Sequence, residues 1–180
     1  MSGMETPYRC RDDVVVPAMP EACFAVLRDV GTYARWWTLL RAEALEGGTR
    51  LSPGVRFRLS GARADGTVVA WTVRVTVVHA PGWIELAYDG GDLLGTVGWE
   101  LEAVGGGTRV AYVYYDVRPN GPAAERTFAR YGTRFHSLAM REDALAGLVR
   151  LFGGAGSELS DEAWRRRVRE RMATGIAALE

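Results

Sequence analysis

One carboxylate stands out among the residues that could do chemistry, because it falls inside an apolar helical stripe. On a helical wheel Glu142 lies about 20° from the stripe centre, between Leu138 and Ala146. Burying an unpaired carboxylate is costly, so the position predicts a partner, a wet cavity or a raised pKa. A raised pKa in a cavity would suit a general acid or base. The alternative is that the helix leaves the domain there and Glu142 meets solvent or an arginine.

Two tyrosines and a histidine are the other candidates for polar chemistry. Tyr112 and Tyr114 alternate along the run TRVAYVYYDV, and with Glu142 they are the candidate catalytic residues. We place both hydroxyls inward; the opposite strand phase would turn Val113 and Tyr115 inward instead. His136 lies about 100° from the centre of the helical stripe, which suits a ligand-binding position or a hydrogen-bonded boundary residue.

Aromatic side chains are numerous enough to line a pocket for a flat or apolar ligand, although they could equally fill a core. The candidate ligand-binding set, besides His136, is Trp36, Trp37, Phe57, Trp71, Trp99, Tyr131 and Phe135. Trp36 and Trp37 are adjacent, so on a helix they point about 100° apart. We expect one of them to face the cavity and the other to seal the helix against the sheet, unless both are simply core.

The composition excludes several classes of function. All 22 basic residues are arginine, so Schiff-base chemistry and covalent pyridoxal phosphate are impossible. Two histidines, two cysteines and no Cys-x-x-Cys pair give no reason to expect a metal site or another cofactor. A formal net charge of zero argues against nucleic acid as a partner. With no apolar run of membrane-spanning length and no signal-peptide pattern, we expect a cytoplasmic protein.

The central part of the chain has the period-two hydrophobic pattern of β-strands. It is clearest at 68–78, where polar or small residues alternate with the apolar Val69, Trp71, Val73, Val75 and Val77. Turn residues recur at hairpin spacing, which predicts an antiparallel meander. The predicted strands are 8–16, 55–60, 68–78, 84–88, 97–102 and 108–117.

Helices are predicted on both sides of the strands. Two short ones follow the first strand, at 19–30 and over TYARWWTLL at 32–40. A long amphipathic helix spans 123–152 and ends at a glycine cluster. A last helix begins after Ser160 as N-cap, with an apolar stripe from Trp164 to Leu179. We divide the chain into a domain at 1–156 and a helical extension at 157–180, which packs on the domain or on a second copy in a homodimer.

These elements make an α+β domain in which the sheet and the long helix must cover each other's apolar faces. Three stretches in order, VPAMPEACFAVLRDVGTYARWW, GDLLGTVGWELEAVGGGTRVAY and RFHSLAMREDALAGLVRLF, resemble the START-like superfamily, the polyketide cyclase/dehydrase and lipid-transport group that includes the birch-pollen allergen fold. The resemblance implies a helix-grip fold, with a curved antiparallel sheet of six to seven strands around a long C-terminal helix.

The resemblance implies three kinds of function, because one fold serves several. The first is binding of a hydrophobic or polycyclic small molecule, lipid-like or polyketide-like, in a cavity between sheet and helix. The second is an aromatase or cyclase without metal or covalent cofactor, with Tyr112, Tyr114, Glu142 and one inward arginine around a polycarbonyl chain. The third is a protein-partner module of the chaperone-ATPase-activator type, which predicts a filled interior.

Overall fold

A computed structural model of the chain describes residues 6–180. Residues 1–5, part of the stretch that lacks a signal-peptide pattern, lie outside the described residues. The seven strands form one antiparallel sheet in the order β1-β7-β6-β5-β4-β3-β2. They are β1 Tyr8–Val16, β2 Leu40–Glu46, β3 Arg56–Ala62, β4 Val68–His79, β5 Trp83–Gly91, β6 Leu93–Val104 and β7 Gly107–Pro119. The predicted helix-grip α+β fold is therefore confirmed.

The helical segments lie between β1 and β2 and after β7. Helix α1 (Pro20–Leu27) has Pro20 in its first turn, where no backbone hydrogen bond is lost. A 3-10 segment follows at Val30–Arg35. The C-terminal part contains α2 (Pro122–Tyr131), α3 (Arg134–Ala139), a π-helical turn at Met140–Ala144, α4 (Leu145–Leu151) and α5 (Asp161–Leu179). Among the described residues, no helix is both long enough and apolar enough to cross a bilayer.

The prediction of a second short helix over 32–40 is wrong at its C-terminal end. The 3-10 segment ends at Arg35, and Leu40 already begins β2, the strand that the sequence did not reveal. Trp36 and Trp37 therefore lie in the connection between a helical turn and a strand. Asp29 starts the 3-10 segment by accepting a hydrogen bond from the Gly31 amide at 2.9 Å.

The long helix predicted at 123–152 is divided into pieces. Gly132 breaks it with a φ of 57°, and the π-helical turn inserts an extra residue before α4. A Cβ atom at Gly147 would lie 1.9 Å from the Trp36 carbonyl oxygen, so only glycine lets α4 touch this backbone. That contact holds the two tryptophans beneath the helix.

The apolar stripe of the long helix was predicted to pack on the sheet, but part of it packs on another helix. Tyr131, Phe135 and Leu138 do not pack on the main sheet core; they form a separate cluster with residues of α5. The sheet is covered instead by Met140, Ala144, Leu145 and Leu148, which belong to the main core. Helices α2–α4 thus form a middle layer between the sheet and α5, which begins at the predicted N-cap Ser160.

Candidate ligand pocket

A narrow pocket lies where strands β3 to β5, the Trp37–Leu40 connection, α3 and α5 meet. Its lining comprises Trp37, Leu39, Leu40, Gly61, Ala62, Arg63, Trp71, Tyr88, Tyr114, Phe135, His136, Ala139, Met140 and Met172. Its volume is about 60 Å³, whereas pockets for drug-sized ligands usually measure about 300–1,000 Å³. Met140 and Met172 form part of the wall, and flexible methionines can move aside to admit a ligand.

Arg63 is the charged residue of this pocket. Its guanidinium carbon lies 5.5 Å from the ring centroid of Trp71 and 5.9 Å from that of Phe135. Nε and Nη2 of Arg63 are buried and have no hydrogen-bond partner within residues 6–180. No carboxylate is among the lining residues. Burial lowers the pKa of the Arg63 guanidinium from its usual value, and the charge is stabilised mainly by aromatic faces.

Neutral hydroxyl groups occupy the wall beside Arg63. The Tyr88 and Tyr112 hydroxyl oxygens are 2.5 Å apart, with Tyr112 behind the lining. Burial raises the pKa of Tyr88 to about 12 and raises the pKa values of Tyr112 and Tyr114 well above their usual range. All three are therefore protonated near neutral pH and can serve as hydrogen-bond donors.

His136 faces the pocket from α3 and is neutral. Its ring stacks on Tyr114 with centroids 3.9 Å apart. Burial and the nearby Arg63 charge lower the pKa of His136 from 6.5 to about 3. Its Nε2 is buried without a hydrogen-bond partner in the described part of the chain, as is the indole Nε1 of Trp71.

A buried carboxylate that the sequence did not single out holds one wall in place. Asp143, in the π-helical turn, is 0% exposed. Its oxygens accept hydrogen bonds from the Thr38 amide at 2.9 Å, the Thr38 hydroxyl at 2.7 Å and the Leu39 amide at 2.7 Å. Burial raises the pKa of Asp143 to about 6, and these three donors oppose that rise. Asp143 thereby ties the Trp37–Leu40 connection to the helical layer.

The predicted site residues fall into three groups. Five line the pocket: Trp37, Trp71, Tyr114, Phe135 and His136. Four lie in the core behind it: Trp36, Phe57, Trp99 and Tyr112. Two face the last helix: Tyr131, whose hydroxyl donates to Glu180 at 3.1 Å, and Glu142, which pairs with Arg171 at 3.3 Å.

Glu142 does not line the pocket, and of the two alternatives the structure has the one in which it meets an arginine. The helical phase is right, because Glu142 shares a face with Leu138 and Ala146, but α5 covers that face. Its partner is Arg171, at the protein surface, and an arginine was one of the partners that the sequence analysis allowed. The sequence did contain a signal for Asp143. Met140, Ala144 and Leu148 are spaced by four residues and form a second apolar face, and Asp143, three residues after Met140, lies on that side of the helix.

Arg63 was missed because ARADG at 62–66 was interpreted as a turn. The inward phase of β3 passes through Phe57 and Leu59. Continuing the same alternation beyond the strand, through Gly61, brings Arg63 to the interior side. The sequence signal was therefore present, one step past the predicted end of the strand.

The two tryptophans of YARWWTLL both pack on protein. Trp36 is 0% exposed and Trp37 is 5% exposed, and their rings stack with centroids 5.6 Å apart. Trp99 meets both edge-on. Trp37 also borders the pocket, so this one ring is shared between core and cavity.

A wider groove of about 300 Å³ lies between β1, α4 and α5. Its wall includes Arg141, Arg167 and Arg171 above an apolar floor. Arg171 is already paired with Glu142. The narrow pocket is therefore the better candidate, because buried polar atoms of Arg63, Trp71 and His136 have no hydrogen-bond partner within residues 6–180.

Comparison with known proteins places residues 9–153 within the family model described as polyketide cyclase/dehydrase and lipid transport. No curated protein matches the chain. Among solved structures, the protein CV1439 of Chromobacterium violaceum is 19% identical with a TM-score of 0.58, over 80% of this chain and 96% of the other.

Two further solved structures are similar at low identity. The di-domain ARO/CYC protein BexL from the BE-7585A biosynthetic pathway is 18% identical with a TM-score of 0.62, over 85% of this chain and 52% of BexL. The protein TTHA0849 of Thermus thermophilus is 15% identical with a TM-score of 0.56, over 92% and 97% of the two chains. At these identities the similarity shows a shared fold.

Proposed function

The chain belongs to the polyketide cyclase/dehydrase and lipid-transport family, and from that premise we propose that it binds an apolar, flat small molecule carrying a carboxylate or conjugated carbonyl group. The observation that carries this proposal is the guanidinium of Arg63, which faces an aromatic pocket without an acceptor among the described residues. The ligand's oxygen atoms would supply the acceptors that the protein lacks.

The unsatisfied groups of the pocket favour an acceptor-rich ligand. Arg63 and the indole of Trp71 can only donate hydrogen bonds, and the tyrosine hydroxyls beside them are protonated. A buried donor without a partner costs free energy, and an ionised one costs more. A carboxylate or carbonyl oxygen recovers that cost on binding, while Trp37, Trp71 and Phe135 contact the apolar rings.

Cyclisation of a polycarbonyl substrate is the second candidate function. Arg63 and the Tyr114 hydroxyl could stabilise negative charge on an enolate oxygen, as such chemistry requires. The pocket offers no carboxylate as a base, however, and a histidine with a pKa of about 3 is a weak one. These groups favour binding over proton abstraction.

Glu142 faces α5 and Tyr112 lies behind the lining, so of the three candidate catalytic residues only Tyr114 remains in this proposal.

Ligand titration of matched arginine variants tests the proposal. We would measure quenching of tryptophan fluorescence by 2-naphthoate, methyl 2-naphthoate and naphthalene. Wild-type protein should bind naphthoate most tightly, and Arg63→Met should weaken naphthoate binding about 10–100-fold. Arg58→Met, on the outward phase of β3 and exposed, is the control and should bind like the wild type.

The other outcomes contradict the proposal. Equal affinity of wild type and Arg63→Met for naphthoate would show that the guanidinium does not receive the ligand. Failure of naphthoate and of a wider set of polyketide-like, lipid and terpenoid compounds to bind would favour the partner-module function, which the narrow pocket also suits. Conversion of a poly-β-carbonyl compound to an aromatic product, lost in Tyr114→Phe, would favour the cyclase.

A further inference from the structure

Three potential metal ligands converge at the edge of the sheet, outside the site described above except for one shared residue. Cys10 Sγ, an Asp12 carboxylate oxygen and a ring nitrogen of His136 all lie within 4.8 Å of one another. Cys10 and Asp12 are two residues apart on β1, so they share the face that the helical layer covers. His136 comes from α3, which contacts that strand.

We propose that Cys10, Asp12 and His136 bind a zinc-like divalent transition-metal ion. Thiolate, carboxylate and imidazole are the ligand types that Zn²⁺ takes, with bonds of about 2.0–2.3 Å. Small side-chain rotations would bring three atoms that are already within 4.8 Å of one another to those bond lengths. The fourth position would belong to water or to a ligand atom, as in zinc sites with three protein ligands.

The residues around the three proposed ligands hold them in fixed orientations, as the neighbours of metal ligands do. The Ser137 hydroxyl donates a hydrogen bond to Asp12 Oδ2 at 2.9 Å and so orients the carboxylate. Stacking on Tyr114 at 3.9 Å fixes the plane of the His136 ring. His136 is neutral, as a metal ligand must be, and its Nε2 has no hydrogen-bond partner among the described residues.

Charge balance also suits a divalent ion. Burial and the Asp12 charge raise the pKa of the Cys10 thiol to about 12, so without metal this sulfur carries a proton. A bound divalent ion replaces that proton, because coordination deprotonates the thiol. The thiolate and the Asp12 carboxylate together neutralise the ion, and this offsets the repulsion from Arg63 and Arg141, which act on His136 and Asp12 respectively.

Cobalt substitution tests the site without reference to any activity. Chelator-treated full-length protein is titrated with Co²⁺ and followed by absorption. We expect one ion per chain, with a thiolate-to-cobalt charge-transfer band and the visible bands of tetrahedral cobalt. Cys10→Ser should abolish the charge-transfer band, and Ser137→Ala should weaken binding about 10–100-fold. The control is Cys23→Ser, at the buried thiol of α1, which should keep the band.

A second measurement uses only the wild-type protein, so it does not depend on the folding of the variants. Zn²⁺ added to weakly buffered protein near pH 7 should release about one proton per ion, because the Cys10 thiol must ionise. Adventitious binding through neutral histidine or ionised carboxylates releases none. Absence of the band and of proton release, or a charge-transfer band that persists in Cys10→Ser, would overturn the proposal.

Discussion

Asp143 and Arg63 are both charged side chains withdrawn from water beside one cavity, Arg63 in its lining and Asp143 behind it, and their surroundings are opposite. Asp143 accepts three hydrogen bonds from Thr38 and Leu39. Two of the guanidinium nitrogens of Arg63 have no partner in the described residues. A buried group whose hydrogen bonds the chain itself supplies adds to stability, whereas an unsatisfied buried charge costs stability, and under the proposed function a ligand would offset that cost.

The largest effect should follow removal of the satisfied charge. Asp143→Ala leaves two backbone amides and the Thr38 hydroxyl without their acceptor, at about 1 kcal/mol or more each, so we expect a loss of at least about 3 kcal/mol in the free energy of unfolding. Urea denaturation measures it. The neighbouring change Glu142→Ala is the matched control, because it removes only a surface pair with Arg171 and should cost at most about 1 kcal/mol. Equal losses in the two variants would remove the distinction between them.

The next effect concerns His136, an unpartnered group whose charge state depends on pH. Its folded pKa of about 3 lies below the usual 6.5, so below pH 6.5 the unfolded chain takes up a proton that the folded chain does not. Stability should therefore fall as the pH falls, by up to about 2 kcal/mol between pH 6.5 and 5.

The measurement is the free energy of unfolding against pH, in the presence of a chelator. His136→Gln should lose this contribution to the slope. His79→Gln, at the other and exposed histidine, should keep it. If the slopes of wild type and His136→Gln coincide, His136 is not held neutral by its surroundings.

The smallest effect should have the opposite sign. Arg63→Met replaces an unsatisfied buried charge by an apolar chain of similar length, so the ligand-free protein should become more stable by about 1 kcal/mol. Arg58→Met, on the exposed face of β3, should change stability by less than about 0.5 kcal/mol. Thermal and urea unfolding measure both. Destabilisation by Arg63→Met would mean that the protein satisfies this guanidinium after all.

Local patterns predicted most of the fold, because strand alternation and helix periodicity depend on residues close in sequence. Alternation at 68–78 became β4, and the Ser160 cap became the start of α5. The exceptions were the 3-10 segment, which is short, and β2, where the residues that alternate with Arg41 and Glu43 after Leu40 are only the small Ala42 and Ala44. The π-helical turn was also invisible, since one inserted residue barely disturbs an apolar pattern.

The candidate site was only partly predictable. Trp37, Trp71 and Phe135 were candidates either for a pocket or for a filled core, with Trp36 and Trp37 left undecided, and only the structure shows that these three line the pocket. Arg63 could have been found by extending the alternation of β3 by two residues. The apolar face beside Asp143 was visible in the sequence, but the Glu142 face is apolar as well, so periodicity alone could not decide which of the two faces the sheet.

By itself, the sequence determined the class of the fold, the order of its elements and which face of each element is apolar. Only the tertiary structure decided what each face meets. The stripe carrying Glu142 was interpreted correctly, yet α5 covers it and the sheet does not. Cys10, Asp12 and His136 meet although they come from opposite ends of the chain. The physical reason is that periodicity is a local property, whereas the partner of a surface depends on how distant segments pack.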